Sequence, residues 1–294
     1  MGAVGRRNGV YGGWTHAGSN RVFVRVPTEL KRQAEAPPID SNGNGSAPEL
    51  DRTPIVLVHG LSSSRSLKPL IRALGSGRPV FAPDLPGFGM SDQPIRPLDI
   101  PGLADALRRW LLDNELAPAI VVGVAFGCQV AVDLAAAYPA SVDRLVLVGP
   151  TFDPESRTPA RLAMRWARNA PRSSPRLAPT IVHDLFDAGP WRSVQTLRKA
   201  LEDPIEEKLG GIEAPTLIVR PEHDHLVPVE WTARVADLIP DSELAVLPKA
   251  AHTIGPRAAA RLTALLAPFL ADPEEALDEG ATDEEAVEEK RSAG

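Results

Sequence analysis

Short apolar runs alternate with amphipathic segments along most of the chain, and this alternation predicts an α/β fold. Several runs are apolar at nearly every position, which is typical of parallel strands buried on both faces. The segments between them repeat apolar residues at helical spacing, so the sequence predicts βαβ units and a mostly parallel, doubly wound sheet with helices on both faces. The predicted strands are 20–27, 54–60, 79–84, 119–124, 142–150, 216–220 and 242–248, and the predicted helices are 67–75, 100–116, 126–139, 229–240 and 257–270.

One long segment interrupts this alternation. Residues 152–213 are helix-prone, hold many Pro and Arg residues, and show no strand pattern. An insertion between two sheet strands predicts a helical cap over the carboxyl edge of the sheet, where ligands bind in open α/β sheets. Apolar positions alternate in residues 20–27, which predicts a strand at a sheet edge, and the Pro, Gly, Asn and Ser residues of 36–49 predict a flexible loop. The expected divisions are a flexible N-terminus (1–19), a core in two parts (20–151 and 214–270), the helical cap (152–213) and a disordered acidic tail (271–294).

Composition and charge argue against a nucleic-acid-binding protein and against a membrane-spanning one. The chain has 294 residues and a formal net charge of −6, and residues 271–294 hold ten acidic residues against two basic ones. This tail therefore carries −8 and the rest of the chain +2, which lacks the basic signature of a nucleic-acid-binding protein. No apolar run approaches the roughly 18 residues of a membrane span, and Cys128 is the single cysteine, so we expect a cytoplasmic protein that is not membrane-bound. No cofactor is expected, the expected partner is a small apolar or aromatic ligand, and the oligomeric state is left open.

Four motifs follow one another in order at the ends of predicted strands: HGLSSS (59–64), DLPGFGMSD (84–92), GVAFG (123–127), and RPEHDHLVP (220–228) followed by AAHTIG (250–255). On these motifs the chain resembles an α/β-hydrolase with a helical cap, over nearly everything between residues 20 and 270.

The resemblance assigns roles to individual residues. It places Ala125 at the position of the nucleophilic serine, Asp224 at that of the triad acid and His252 at that of the base. The backbone amides of Leu61 and Phe126 would form the oxyanion hole, and His59 would be a buried structural histidine. A carboxylate bonded to one imidazole nitrogen fixes the tautomer and leaves the other nitrogen free to take a proton. Alanine has no lone pair, so an acyl-enzyme cannot form at position 125.

Other residues offer alternatives for the missing hydroxyl. Ser62, Ser63 and Ser64 lie on the oxyanion loop, where serines usually make turn hydrogen bonds. Cys128 lies almost one helical turn beyond Ala125, which indicates a packed core thiol.

A metal site and a substrate pocket are also considered. His223 and His225 are two apart on an extended stretch, but a third ligand with suitable spacing is not evident, so no metal is expected. The candidate substrate-binding residues are Trp166, Phe186 and Trp191. They line either an apolar pocket or, together with Met164, the core of the cap itself.

Three hypotheses explain an alanine at the nucleophile position. The first is an engineered inactive variant, made to trap substrate, of a hydrolase that cleaves a small ester or a C–C bond through an acyl-enzyme. The second is a diverged protein that binds a ligand or partner without catalysis; Val124, where the family usually has a polar residue, and Pro221, where it usually has glycine, favour it. The third is an enzyme in which His252 and Asp224 act as a general base without a covalent nucleophile.

Overall fold

One large sheet forms the centre of the fold, and the loops lie at the ends of its strands. The computed structural model describes residues 3–7, 9–28, 30, 52–151, 153–169 and 190–271. In these residues the strands are β1 (Ala3–Arg7), β2 (Val10–Ala17), β3 (Asn20–Pro27), β4 (Ile55–Val58), β5 (Val80–Pro83), β6 (Ala119–Val124), β7 (Val142–Val148), β8 (Thr216–Pro221) and β9 (Ser242–Leu247). The helices are α1 (Lys68–Leu74), α2 (Ile100–Asp113), α3 (Gly127–Ala137), α4 (Pro159–Asn169), α5 (Pro190–Glu202), α6 (Ile205–Lys208), α7 (Val229–Leu238) and α8 (Pro256–Leu270).

The nine strands lie in the order β1-β2-β3-β5-β4-β6-β7-β8-β9. The strands from β5 to β9 in this order pair in parallel, whereas β1, β2 and β3 pair antiparallel with their neighbours and β3 also pairs antiparallel with β5. Helices α1 and α8 bury their apolar faces in one cluster, and α2, α3 and α7 bury theirs in another. The predicted doubly wound α/β fold is therefore confirmed, and α4 to α6 are the helical insertion, between β7 and β8.

Local sequence explains why the elements begin where they do. The side chain of Asp99 accepts a hydrogen bond from the amide of Gly102 at 3.0 Å, which caps the first turn of α2. Pro101 suits this first turn because amides there have no acceptor within the helix, and proline has no amide hydrogen. The apolar face of α2 buries Leu103, Leu107 and Trp110 against the sheet, so the amphipathic pattern places this helix.

The N-terminal residues form two strands of the sheet. Residues 1–19 were expected to be flexible, yet β1 and β2 lie within them and pair with each other. A Cβ on Gly12 would lie 2.4 Å from Cζ of Phe23, so this glycine makes room for an aromatic ring of the neighbouring strand. The strand 20–27 is present as β3, but its expected place at the sheet edge is wrong, because β2 and β1 lie outside it.

Two predicted segments lie outside the described residues: the loop 36–49 and the acidic tail from 272 onward. The other domain boundaries stay predictions. Within the described part of the chain, we find no helix that is both long and apolar enough to cross a bilayer.

Candidate active site

The turn between β6 and α3 holds Ala125 in a left-handed conformation. Its φ is 54°, a region in which an L-residue other than glycine is strained by about 1–2 kcal/mol. The amide of Ala125 donates to the carbonyl of Val148 at 2.9 Å, and its carbonyl accepts from the amide of Cys128 at 3.0 Å. These two bonds hold the turn, which therefore presents the Cβ of residue 125 in a fixed direction without any hydroxyl.

The glycines on both sides of Ala125 are required by packing. A Cβ on Gly127 would lie 2.2 Å from the carbonyl oxygen of Val58 on β4, and one on Gly123 would lie 2.8 Å from Cα of Cys128. Both contacts are with backbone, which cannot move aside as a side chain does. The glycines at 123 and 127 are thus needed because the backbones of β4, β6 and α3 are in close contact at this sharp turn.

Asp224 and His252 are brought together 28 residues apart in sequence. Nδ1 of His252 lies 2.7 Å from Oδ2 of Asp224, whose carboxylate is fully buried. The other carboxylate oxygen accepts from the amides of Leu226 at 2.8 Å and Val227 at 3.2 Å, so the acid is held from both sides. With Nδ1 donating to the carboxylate, Nε2 is the nitrogen that can take a proton.

Pro221 does not displace this acid. The carbonyl of Pro221 accepts a hydrogen bond from the amide of Asp224 at 3.1 Å, which closes the turn. This bond needs no amide hydrogen on residue 221, so a proline satisfies the turn as well as a glycine does.

Gly149 is a site residue that our sequence reasoning missed. It follows β7 with a φ of 57°, and a Cβ placed on it would lie 3.2 Å from Oδ2 of Asp224 and 3.6 Å from Nδ1 of His252. Its neighbour Val148 accepts the hydrogen bond from Ala125. The end of β7 therefore contacts both the turn and the Asp224–His252 pair, and the signal in the sequence was a glycine directly after an apolar strand.

The loop after β4 lies against the turn. A Cβ on Gly60 would be 3.7 Å from Cβ of Ala125. The amides of Leu61 and Phe126 donate no backbone hydrogen bond to any residue that the structure describes. His59 is fully buried; its Nε2 accepts from the amide of Leu85 at 3.0 Å and its Nδ1 donates to the carbonyl of Gly60 at 2.7 Å. Its two ring nitrogens are thus engaged with backbone, as expected of a structural histidine.

The serines of the loop are engaged in local hydrogen bonds. Oγ of Ser62 donates to Oγ of Ser66, Oγ of Ser63 accepts from the amide of Arg65, and Oγ of Ser64 donates to the buried carboxylate of Asp84. None of these contacts is with His252, so they favour turn and scaffold roles over a relocated nucleophile.

Cys128 is a buried thiol. Its Sγ donates to the carbonyl of Gly123 at 3.2 Å, and burial raises the pKa of the thiol well above its usual range. The protonated thiol is a poor nucleophile. We therefore expect a maleimide to label the folded protein at least about 100-fold more slowly than a free thiol, and to label it stoichiometrically in guanidinium. Mass spectrometry measures both, and rapid labelling of the folded chain would contradict the packed-core assignment.

The structure places some of the residues predicted to bind substrate or metal. Trp166 on α4 is 43% exposed and Trp191 on α5 is 73% exposed, so neither indole packs into a core; Phe186 lies outside the described residues. Their role toward a substrate stays a prediction. His223 and His225 are exposed, and no group of three or more His, Cys, Asp or Glu side chains that could hold a metal occurs in the part of the chain that the structure describes.

Val124 is buried in the apolar cluster on the α8 side of the sheet. This cluster also holds Val148, Val219 and Ile254. A polar side chain at position 124 would need a hydrogen-bond partner among these apolar groups. The residue before the turn is thus matched to its surroundings.

Comparisons with known proteins identify the family of this chain. The model of the alpha/beta hydrolase family matches residues 55–265. The poly(3-hydroxyalkanoate) depolymerase of Ectopseudomonas oleovorans is 29% identical over 217 residues, which cover 66% of this chain and 76% of the relative. The 2-hydroxymuconate semialdehyde hydrolase of a Pseudomonas strain is 25% identical over 257 residues, which cover 76% of this chain and 88% of the relative.

A solved structure shows the same fold. A thermophilic esterase from Thermogutta terrifontis, in a malate-bound structure, superposes with a TM-score of 0.62 at 24% identity, over 74% of this chain and 89% of that one. Because the family model spans most of the sequence, from β4 into α8, this protein belongs to the alpha/beta hydrolase family.

Proposed function

We propose that this chain has the site of a hydrolase for a small ester or C–C bond, in which Ala125 removes the covalent step and leaves the rest of the machinery assembled. The observation that carries the proposal is the 2.7 Å contact between His252 and the buried Asp224, beside the strand end that also holds Ala125. Burying a carboxylate costs free energy, which the two backbone donors and the histidine offset. A carboxylate held in this way fixes the orientation of the imidazole that it binds.

The reaction follows from the positions of these groups. With a serine at position 125, His252 would accept the hydroxyl proton, the serine oxygen would attack the substrate carbonyl, and the amides of Leu61 and Phe126 would stabilise the resulting oxyanion. The proton would then pass from His252 to the leaving group. The acyl-enzyme would be cleaved by water in the same manner. In the present chain the first of these steps has no nucleophile, so we expect it to bind such substrates without forming an acyl-enzyme.

The relatives support a bond-cleaving parent activity, because one is named a depolymerase and another a hydrolase. The exposed indoles of Trp166 and Trp191 on the helical insertion support a small apolar or aromatic substrate. The cytoplasmic location inferred from the sequence stays a prediction. The test of the proposal is the Ala125→Ser variant, assayed with p-nitrophenyl esters and a serine-reactive phosphonate.

A second candidate function is general-base catalysis by His252 without a covalent intermediate. The formed His252–Asp224 pair favours it, since this pair can deprotonate a water that attacks the substrate carbonyl directly. In that step the water oxygen bonds to the carbonyl carbon, the bond to the alcohol breaks, and His252 returns the proton to the alkoxide.

This candidate predicts slow ester hydrolysis by the chain as it stands. Replacing His252 with alanine is expected to lower the rate by about 10²- to 10⁴-fold, because the general base is lost. His223→Ala, at an exposed histidine near the same turn, is the matched control and is expected to keep the full rate. Equal rates in the parent and in His252→Ala, measured by release of p-nitrophenol, would rule out this function. The inactive hydrolase variant and binding without catalysis would then remain, and the apolar setting of Val124 is the observation that supports the latter.

A further inference from the structure

The loop that carries Leu61 is held on both sides by the segment that follows β5. On one side, the amide of Leu85 donates to Nε2 of His59, whose Nδ1 holds the carbonyl of Gly60. On the other side, the amide and the hydroxyl of Ser64 both donate to Oδ1 of Asp84, at 2.8 Å and 2.6 Å. Leu61 lies between these two attachments, so the direction of its amide depends on both.

Asp84 is a fully buried carboxylate with four donors. In addition to the two from Ser64, the amide of Met90 donates to Oδ2 at 3.0 Å, and Nη1 of Arg25 lies 2.9 Å and 3.0 Å from the two carboxylate oxygens. Arg25 is the positively charged partner among these donors, and its side chain is 6% exposed. Such a counter-charge offsets the cost of burying a carboxylate.

Arg25 reaches this carboxylate from an unexpected part of the chain. It lies on β3 and pairs with Ala82 of β5, two residues before Asp84. Its Nη1 also contacts the hydroxyl of Ser64 directly. One guanidinium therefore contacts both the carboxylate and the loop residue that the carboxylate holds.

We propose that Arg25 is a positioning residue of the oxyanion hole, and that it acts through Asp84 and Ser64 on the amide of Leu61. Part of this inference rests on the proposed function, because the oxyanion is formed in that reaction. The physical consequence is specific: a misdirected Leu61 amide weakens stabilisation of the transition state and leaves binding of the substrate ground state nearly unchanged.

The first experiment needs no activity. Hydrogen–deuterium exchange of the present chain is compared with that of Arg25→Lys and Arg25→Met, with Arg21→Met as matched control. Arg21 lies on the same strand and pairs with Asp92, but in an exposed position with 60% and 37% of the side chains accessible. We expect amides of residues 60–66 to exchange about tenfold faster in both Arg25 variants and at the parent rate in Arg21→Met. Unchanged exchange in this loop would overturn the proposal, and Arg25→Lys retains the charge should Arg25→Met fail to fold.

The second experiment uses the Ala125→Ser background. There Arg25→Lys is expected to lower kcat for p-nitrophenyl esters by about 10- to 100-fold with little change in KM, since a displaced oxyanion donor affects the transition state. A rise in KM at unchanged kcat would overturn the positioning role. If Ala125→Ser is itself inactive, the proposed function fails, while the exchange experiment still decides whether Arg25 positions the loop.

Discussion

Replacing Ala125 with serine is expected to convert a chain that forms no acyl-enzyme into one that hydrolyses p-nitrophenyl esters at least about 10³-fold faster than its parent. The turn already holds a Cβ at a φ of 54°, so the added hydroxyl introduces no new backbone strain. The proposed base is already bonded through Nδ1 of His252 to Asp224, which leaves Nε2 for the serine proton. On the proposed assignment of roles, the covalent mechanism lacks the hydroxyl oxygen at position 125.

The measurements are the rate of p-nitrophenol release and the mass of the protein after treatment with a phosphonate probe. Stoichiometric labelling of the serine variant beside an unlabelled parent supports the proposed function. His252→Ala in the serine background is the control, and it should lose both the activity and the labelling. A folded serine variant that neither turns over nor reacts with the probe would show that the site is not arranged for acyl transfer.

Replacing Asp224 with asparagine in that serine background is expected to lower kcat by about 10⁴-fold near neutral pH, as removal of the negative triad partner does in other hydrolases. The asparagine oxygen still accepts from the amides of Leu226 and Val227, so the turn should persist. The amide nitrogen then faces Nδ1 of His252 as a donor. The imidazole must accept there and carry its proton on Nε2, which prevents it from acting as the base.

A neighbouring carboxylate provides the matched control. Glu222→Gln alters a side chain that is 45% exposed and that accepts from the amide of Lys249, which a glutamine oxygen can also do. We expect kcat within about twofold of the serine variant for Glu222→Gln. A similar loss of rate in both variants would mean that the effect arises from the turn and not from the tautomer of His252.

The position of Val124 bears on how Ala125 arose. An inactive variant of an active hydrolase would need no change beyond residue 125, whereas this chain also has a valine buried among apolar neighbours where the family usually has a polar residue. A proline stands at 221 in a turn that it satisfies. A fully active serine variant would show that both residues are compatible with catalysis.

Much of the architecture was predictable because it depends on local pattern. Consecutive apolar residues predicted the central strands, and apolar residues at helical spacing predicted the helices. The glycines around Ala125 predicted the sharp turn, and the order of the motifs predicted that Asp224 and His252 would act together. The prediction of a flexible N-terminus was wrong, because β2 pairs along its length with β3 and Gly12 lies against the ring of Phe23 on that neighbouring strand.

The sequence by itself thus determined the order of strands and helices and the turn at Ala125, because each depends on residues that are near one another in the chain or on motifs in a fixed order. It also predicted the roles of Asp224 and His252 as acid and base. The tertiary structure alone decided which distant groups share one buried space. It placed Gly149 against Asp224 and His252, and it brought Arg25 to Asp84 and Ser64. Hydrogen bonds and close contacts between residues dozens of positions apart are set by the packing of the sheet, and neither periodicity nor composition carries information about them.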